Sequence, residues 1–325
     1  MRSSVKSKAL DLARDALSVS YPLFRVMVPV LIAVKILKEL GMIRYLAIPL
    51  EPVMARVGLP AEMGLVWATA LLNNIYSAIV VLLTLLDDNP LSTAQATVLG
   101  TMILVAHNLP VELKIAQKSG PRLLFQACIR IGSALAIGWL LHLFYSGFDL
   151  YQEPVRILLN PKAGAAAVNE TIPAWALGQI KNLVSIFGVI VALLLLMRIL
   201  DRLHITEIMD RVLRPLLRVM GIGPKASTIA IIGITLGIAY GGGLIIREAR
   251  SGRIDKRDVF YALTLMGLVH SLFEDTMLMV MVGGHLSGLL WVRGGLALVA
   301  VALLVRLSAR LPEAFCNRWF WREPG

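Results

Sequence analysis

Charge is scarce in this chain. Only 16% of its 325 residues are Asp, Glu, Lys or Arg, where a soluble protein carries about a quarter, so an ordinary water-facing surface is excluded. Cysteine is nearly missing as well. Cys128 lies in an apolar stretch and Cys316 near the end of the chain, which leaves no disulfide framework and no Cys-based metal motif. No HExxH, P-loop or nucleophile elbow occurs, and the chain does not read as an enzyme. Residues 1–19 lack an apolar core ending at a small-residue cleavage site, so no cleaved signal peptide is expected.

What is plentiful is apolar. Hydrophobic residues make up 57% of the chain, and the mean hydropathy is +0.74. Runs at 123–147, 182–200 and 288–305, the last interrupted only by Arg293, reach or approach the roughly 18–20 residues that cross a bilayer. The composition predicts an all-α polytopic membrane protein. The net charge of +11 sits mainly between apolar spans and at both termini, as in cytoplasmic loops and lipid-headgroup contacts. Nucleic acid is not an expected partner. Residues 1–19 read as an amphipathic cytoplasmic N-terminus, and 312–325, closing on "RWFWREPG", as a cytoplasmic interfacial tail. Arg25, Lys35 and Arg130 are expected to snorkel towards the headgroups.

Displacing the sequence by 163 residues lays 36–120 over 199–283 without a gap. Few positions are identical, but the landmarks coincide. Pro52 meets Pro215, Gly58 meets Gly221, Thr101 meets Thr264, His107 meets His270, Glu112 meets Asp275, and Gly120 meets Gly283. Two repeats follow, at 20–147 and 177–311, joined by an external linker at 148–176. The first reads as an apolar span (22–40), an amphipathic segment (42–57) kinked by Pro49 and Pro52, an apolar stretch (61–86), another (91–118), and a last span (123–147). The second repeats these at 179–200, 205–221, 224–250, 254–283 and 288–309.

Charge orients the halves. The loop after the third element is "DDNP" (87–90) in the first half and "REARSGRIDKRD" (247–258) in the second. After the fourth element the bias reverses, with Lys114, Lys118 and Arg122 set against the nearly uncharged "GGHLSG" (283–288). The positive-inside rule places equivalent loops on opposite sides, so the repeats are expected to be inverted. Each would hold three crossing helices, an interfacial amphipathic helix and a re-entrant hairpin, with both chain termini cytoplasmic in a bacterial-type inner membrane. The hairpins are expected to turn at "NNIYS" (73–77) and "YGGG" (240–243).

Two polar interruptions remain: "VAHNLPVE" (105–112) and "LVHSLFED" (268–275). Ionisable groups at this depth cost several kcal/mol unless paired or hydrated. On an unbroken helix His107 and Glu112 would lie about 140° apart, and a break at Pro110 lets both face one cavity. The candidate binding residues are Asn73, Asn74, Ser77, His107, Asn108, Glu112, Gly241, Gly242, His270, Ser271, Glu274 and Asp275. A bound metal would fall to His107, Glu112, His270, Glu274 and Asp275. Gly241 and Gly242 stand mainly as the hairpin turn, with anion-holding amides as the lesser reading. His142, His204 and His285 sit near span ends and carry no weight.

The amphipathic segment closing on "VGLP" (57–60), the re-entrant stretch and the broken "HNLP" (107–110) resemble the nucleoside recognition, or Gate, family of bacterial membrane proteins. That family includes the gate region of ferrous iron transport protein B and is related in fold to concentrative nucleoside transporters. The resemblance implies two Gate-like halves. It departs at the site: iron gates carry a Cys in the polar hairpin, and neither Cys128 nor Cys316 falls there. The nucleoside transporters use Gln, Thr and Glu in their first hairpin and an Asn–Glu pair later. Here Asn73 and Asn74, with Glu112, Glu274 and Asp275, are the nearest equivalents.

The first expectation is secondary transport of a small polar solute, nucleoside-like in the first instance. The alternatives are a divalent-cation permease, a lipid flippase, or a gate or assembly protein without transport. No cofactor is implied beyond a coupling proton or cation. The bilayer and the solute are the expected partners, and self-association stays open.

Overall fold

A computed structural model describes residues 2–86, 88–158, 171–236 and 238–322. Asp87 of the "DDNP" loop, linker residues 159–170 and the last three tail residues lie outside them. Among the described residues regular structure is entirely helical, apart from two isolated bridges, Ser92 with Pro154 and Pro121 with Trp321.

The elements recur in order across the two halves. A long helix comes first, α1 (Arg2–Glu39) and later α9 (Ile172–Arg202). Helix α1 runs unbroken across the boundary expected between 19 and 20. The amphipathic segment then appears as α2 (Met42–Ala47) and α3 (Glu51–Arg56), separated by a short 3-10 turn. Pro49 and Pro52 fall at the starts of their segments, where a missing N–H costs nothing. Its counterpart α10 (Ile205–Val219) is continuous despite Pro215. On α10 Ile208, Val212 and Leu216 are exposed, as a helix lying on an apolar medium requires.

Next come two pairs of consecutive helices, α4 (Met63–Leu72) with α5 (Ile75–Leu85), and α11 (Pro224–Leu236) with α12 (Ile238–Arg250). The first breaks where expected. Asn74 caps α5 by accepting from the Ser77 N–H at 2.9 Å. The second does not turn at Tyr240–Gly243, because Gly241 and Gly242 lie within α12. Gly237, which stands between α11 and α12, lies outside the described residues.

The fourth elements are broken helices, α6 (Thr93–Val105) with α7 (Leu109–Lys118), and α13 (Lys256–Val269) with α14 (Glu274–Met281). Asn108 at φ 49° and Ser271 at φ 45° take the left-handed conformation in the two breaks, a state most residues avoid. The last pair is α8 (Leu123–Gly147) and α15 (Arg293–Ser308), the latter preceded by a π-helical turn at Ser287–Val292. A short α16 (Glu313–Trp319) follows.

Six of these segments are long and apolar enough to cross a membrane. The two broken ones are the buried ones, 83% for Thr93–Lys118 and 61% for Lys256–Met281, against 22–33% for the three other segments from α8 onward. The chain is a membrane protein whose broken helices form its centre while unbroken ones surround them.

The described part of the linker is a strap rather than a loose loop. Thr93 and Ala94 donate to the carbonyls of Glu153 and Tyr151, Val155 donates to Leu91, and Leu158 donates to Met281. The tail forms a second strap. Arg122 N–H bonds the Phe320 carbonyl at 2.8 Å, and Arg322 N–H bonds that of Gly120 at 3.0 Å. Trp321 and Phe320 are therefore buried, Trp321 packing on Phe260 and Tyr261. Of the tail's Trp and Phe residues from 318 onward, only Trp319 keeps the exposure an interface anchor needs.

Gly58 sits at φ +70° with the His142 ring against the space a side chain would fill. Gly58→Ala should lower the thermal midpoint in detergent by the equivalent of about 1–3 kcal/mol. Gly221→Ala, at φ +91° but with its nearest neighbour Val305 at 3.3 Å, should cost less.

Candidate functional site

Each break leaves helix-end carbonyls without intrahelical donors, and at membrane depth water cannot supply them. One arginine answers in each half. Arg130, on α8, donates from Nε to the Val105 carbonyl at 3.0 Å and from Nη2 to that of His107 at 3.1 Å. Arg293, opening α15, donates from Nε to the Leu268 carbonyl at 3.1 Å and from Nη2 to that of His270 at 2.7 Å. Donors and acceptors alike fall 163 residues from their counterparts, the separation of His107 and His270.

Arg130 therefore does not snorkel. It is 2% exposed, and its guanidinium turns inward to carbonyls and a carboxylate. These two arginines are the functional residues that sequence reasoning missed. The available signal was the same displacement carried past residue 120, where each arginine falls in an otherwise apolar span.

The third guanidinium corner breaks the symmetry. Arg130 Nη1 meets Glu112 Oε2 at 2.5 Å, both groups buried. Arg293 Nη1 is buried without a hydrogen-bond partner among the described residues. The counterpart of Glu112 is Asp275, one methylene shorter. Its Oδ2 lies instead 3.8 Å from His107 Nε2.

The histidines stand at the centre. His107 Nδ1 lies 2.9 Å from the Ile103 carbonyl and His270 Nδ1 lies 3.0 Å from that of Met266. A carbonyl has no proton to give, so Nδ1–H is the donor in both rings. The two Nε2 atoms then face each other at 3.1 Å. Glu112 Oε1 lies 3.6 Å from the first and 3.3 Å from the second. His107, Glu112, His270 and Asp275 are thus brought together.

The other candidates are more scattered. Asn73, Asn74 and Ser77 bond one another, Asn73 Nδ2 to Ser77 Oγ at 2.9 Å and Asn74 Nδ2 to Asn73 Oδ1 at 3.1 Å. They shape the hairpin turn. Asn108 N–H donates to the Ala70 carbonyl at 2.9 Å, tying the first break to α4. Ser271 contributes its left-handed backbone and accepts the Asp275 N–H at 3.2 Å. Glu274 accepts from the Tyr76 hydroxyl at 3.4 Å. Gly241 and Gly242 are the fourth and fifth residues of α12 and so stand in helix rather than in a turn.

Contacts between the two halves run in opposite senses. Thr97 Oγ1 accepts from His285 N–H at 2.8 Å, His107 meets His270, and Gln126, just past the first span, donates to Thr264 Oγ1 at 2.8 Å. As the first half advances through these contacts, the second retreats. A groove of about 210 Å³ opens between α8 and α15, walled by Leu140, Leu268, Val299 and Leu303 with Arg293 also lining it.

Residues 183–288 match the family model described as Gate, nucleoside recognition, so the resemblance holds for that stretch of the second half. The chain is 25% identical over 292 residues to an uncharacterized membrane protein of Bacillus subtilis (strain 168), YvoD, covering 89% of each chain. No solved structure matches it.

Arg130→Met should strand the Glu112 carboxylate and cost about 3–5 kcal/mol, read as a fall in thermal midpoint in detergent. Adding Glu112→Leu should restore part of that loss. Arg293→Met, which leaves no directly paired carboxylate behind, should cost less than Arg130→Met.

Proposed function

We propose that this protein is a secondary transporter that moves a small polar solute by exposing a central site alternately to the two sides of a bacterial-type inner membrane. In this reading the halves are upside-down copies with both termini cytoplasmic, and the two helical hairpins enter and leave on one side. The observation that carries it is the duplicated clamp: two broken spans, each held open by one buried arginine, meet at a buried cluster of imidazoles and carboxylates. The opposed sense of the contacts from Thr97 to His285 and from Gln126 to Thr264 supports inversion. Non-helical backbone at such a depth is the usual mark of a transport site.

Glu112 and Asp275 are the groups that bind the solute or its coupling ion. A nucleoside-like solute would need the halves to part, since the space beside Glu112 and Arg130 is about 10 Å³, near the limit for one water. A second reading, an amphipathic lipid as cargo, draws on the apolar groove between α8 and α15 and the arginine lining it.

With Cys128→Ser and Cys316→Ser as background, single cysteines at positions 88 and 252 should react with impermeant reagents from opposite sides. Labelling from one side would overturn the inverted arrangement. Glu112→Gln should abolish uptake into proteoliposomes, screened over nucleosides and divalent metals, while the protein remains monodisperse. Unchanged uptake would remove Glu112 from the mechanism.

A further inference from the structure

The facing histidines present two acceptor nitrogens to one another. With each Nδ1 proton committed to a backbone carbonyl, both Nε2 atoms carry lone pairs, and these point at one another across 3.1 Å inside the protein. Glu112 Oε1 is within 3.6 Å of both nitrogens, and Asp275 Oδ2 adds a second anionic oxygen at 3.8 Å from His107. Four electron-rich atoms therefore converge with nothing positive between them. The nearest guanidinium, Arg130, engages Glu112 from its far oxygen and does not enter the gap.

We propose that His107, His270, Glu112 and Asp275 bind one borderline divalent cation of the Mn(II), Fe(II) or Zn(II) kind, and that this ion is the cargo. The site follows from the geometry alone, and the ion's role as cargo rests on the transport reading above. Imidazole nitrogens mixed with carboxylate oxygens, and no thiolate, select this class of ion over soft Cu(I) or hard Ca(II). Donors 2.0–2.1 Å from a tetrahedral ion stand about 3.3 Å apart. The separations of 3.1, 3.3, 3.6 and 3.8 Å bracket that value. The donors of His107, His270 and Asp275 all lie within 4.8 Å of one another, so only the Asp275 carboxylate needs to close in.

The surroundings are those of a metal site. Each imidazole is fixed by an Nδ1–H bond to backbone, and Glu112 is oriented by Arg130, the outer contacts that set ligand direction and basicity. The missing methylene of Asp275 now has a purpose. A second glutamate could reach Arg293 as Glu112 reaches Arg130, whereas the aspartate turns to the histidines. The duplicated halves thereby give both carboxylates to one point. Two nearby arginines oppose the ion's charge and keep the hold loose, as release of a cargo demands.

Titration of the full-length protein in detergent with Co(II), any affinity tag removed, tests the site. One equivalent should bind and develop visible ligand-field absorption, and Zn(II) should displace it. His107→Ala and His270→Ala should each weaken binding at least tenfold. The near-isosteric Asp275→Asn should do the same while leaving the thermal midpoint closer to that of the parent. No saturable Co(II) absorption, or equal affinity after both histidines are replaced, would overturn the site. A pair that takes up only a proton would overturn it too, yet leave the transporter reading intact. Positions 88 and 252 labelling from one side would sink the transporter reading while metal binding stayed measurable.

Discussion

A backbone carbonyl inside a bilayer must have a donor, and that requirement organises this protein. Breaking a membrane helix at its middle exposes several carbonyls at the least tolerant depth. Arg130 and Arg293 meet the demand with two guanidinium nitrogens apiece. Each arginine must come from a neighbouring helix whose position is then fixed to the break. The order of packing follows, with α6 against α8 and α13 against α15. Burying an arginine is costly in itself, and the geometry offsets that cost because every bond it makes removes an unsatisfied acceptor.

The architecture was legible because its signals are extensive. Apolar runs mark the spans, and coincident prolines, glycines and histidines mark the repeat. The left-handed residues repeat that agreement in the backbone: Asn108 with Ser271, Gly58 with Gly221, Gly120 with Gly283. Even Gly41 is matched, by His204. The break beside Pro110 and the turn at Asn73–Asn74 were readable for the same reason, since proline and asparagine act on their own neighbourhood.

What stayed hidden was direction. An arginine in an apolar run reads the same whether its side chain climbs to the headgroups or turns inward, and only a partner decides. Arg130 found three, the Val105 and His107 carbonyls and the Glu112 carboxylate, all created by a break in another helix. The triple glycine misled in the opposite way. Glycine permits a turn without compelling one, and α12 carries Gly241 and Gly242 through as helix. The tail aromatics showed the same ambiguity, because a Trp beside basic residues suits a membrane interface or a protein cleft equally. The strap at Gly120–Arg122 gave Trp321 the cleft.

The two straps are built from the same materials, backbone hydrogen bonds and aromatic rings. The linker joins the halves through hydrogen bonds, to Thr93 and Ala94 on one side and from Leu158 to Met281 on the other, and through the Tyr151 ring, which stacks on His285 at 4.1 Å and meets Tyr145 edge-on. The tail bonds the first half but grips the second through stacked rings, Phe320 and Trp321 on Phe260. Apolar association weakens on cooling, while hydrogen bonds carry no such penalty. Cooling thus loosens the ring contacts by which both straps bridge the halves, while their backbone bonds stay in place.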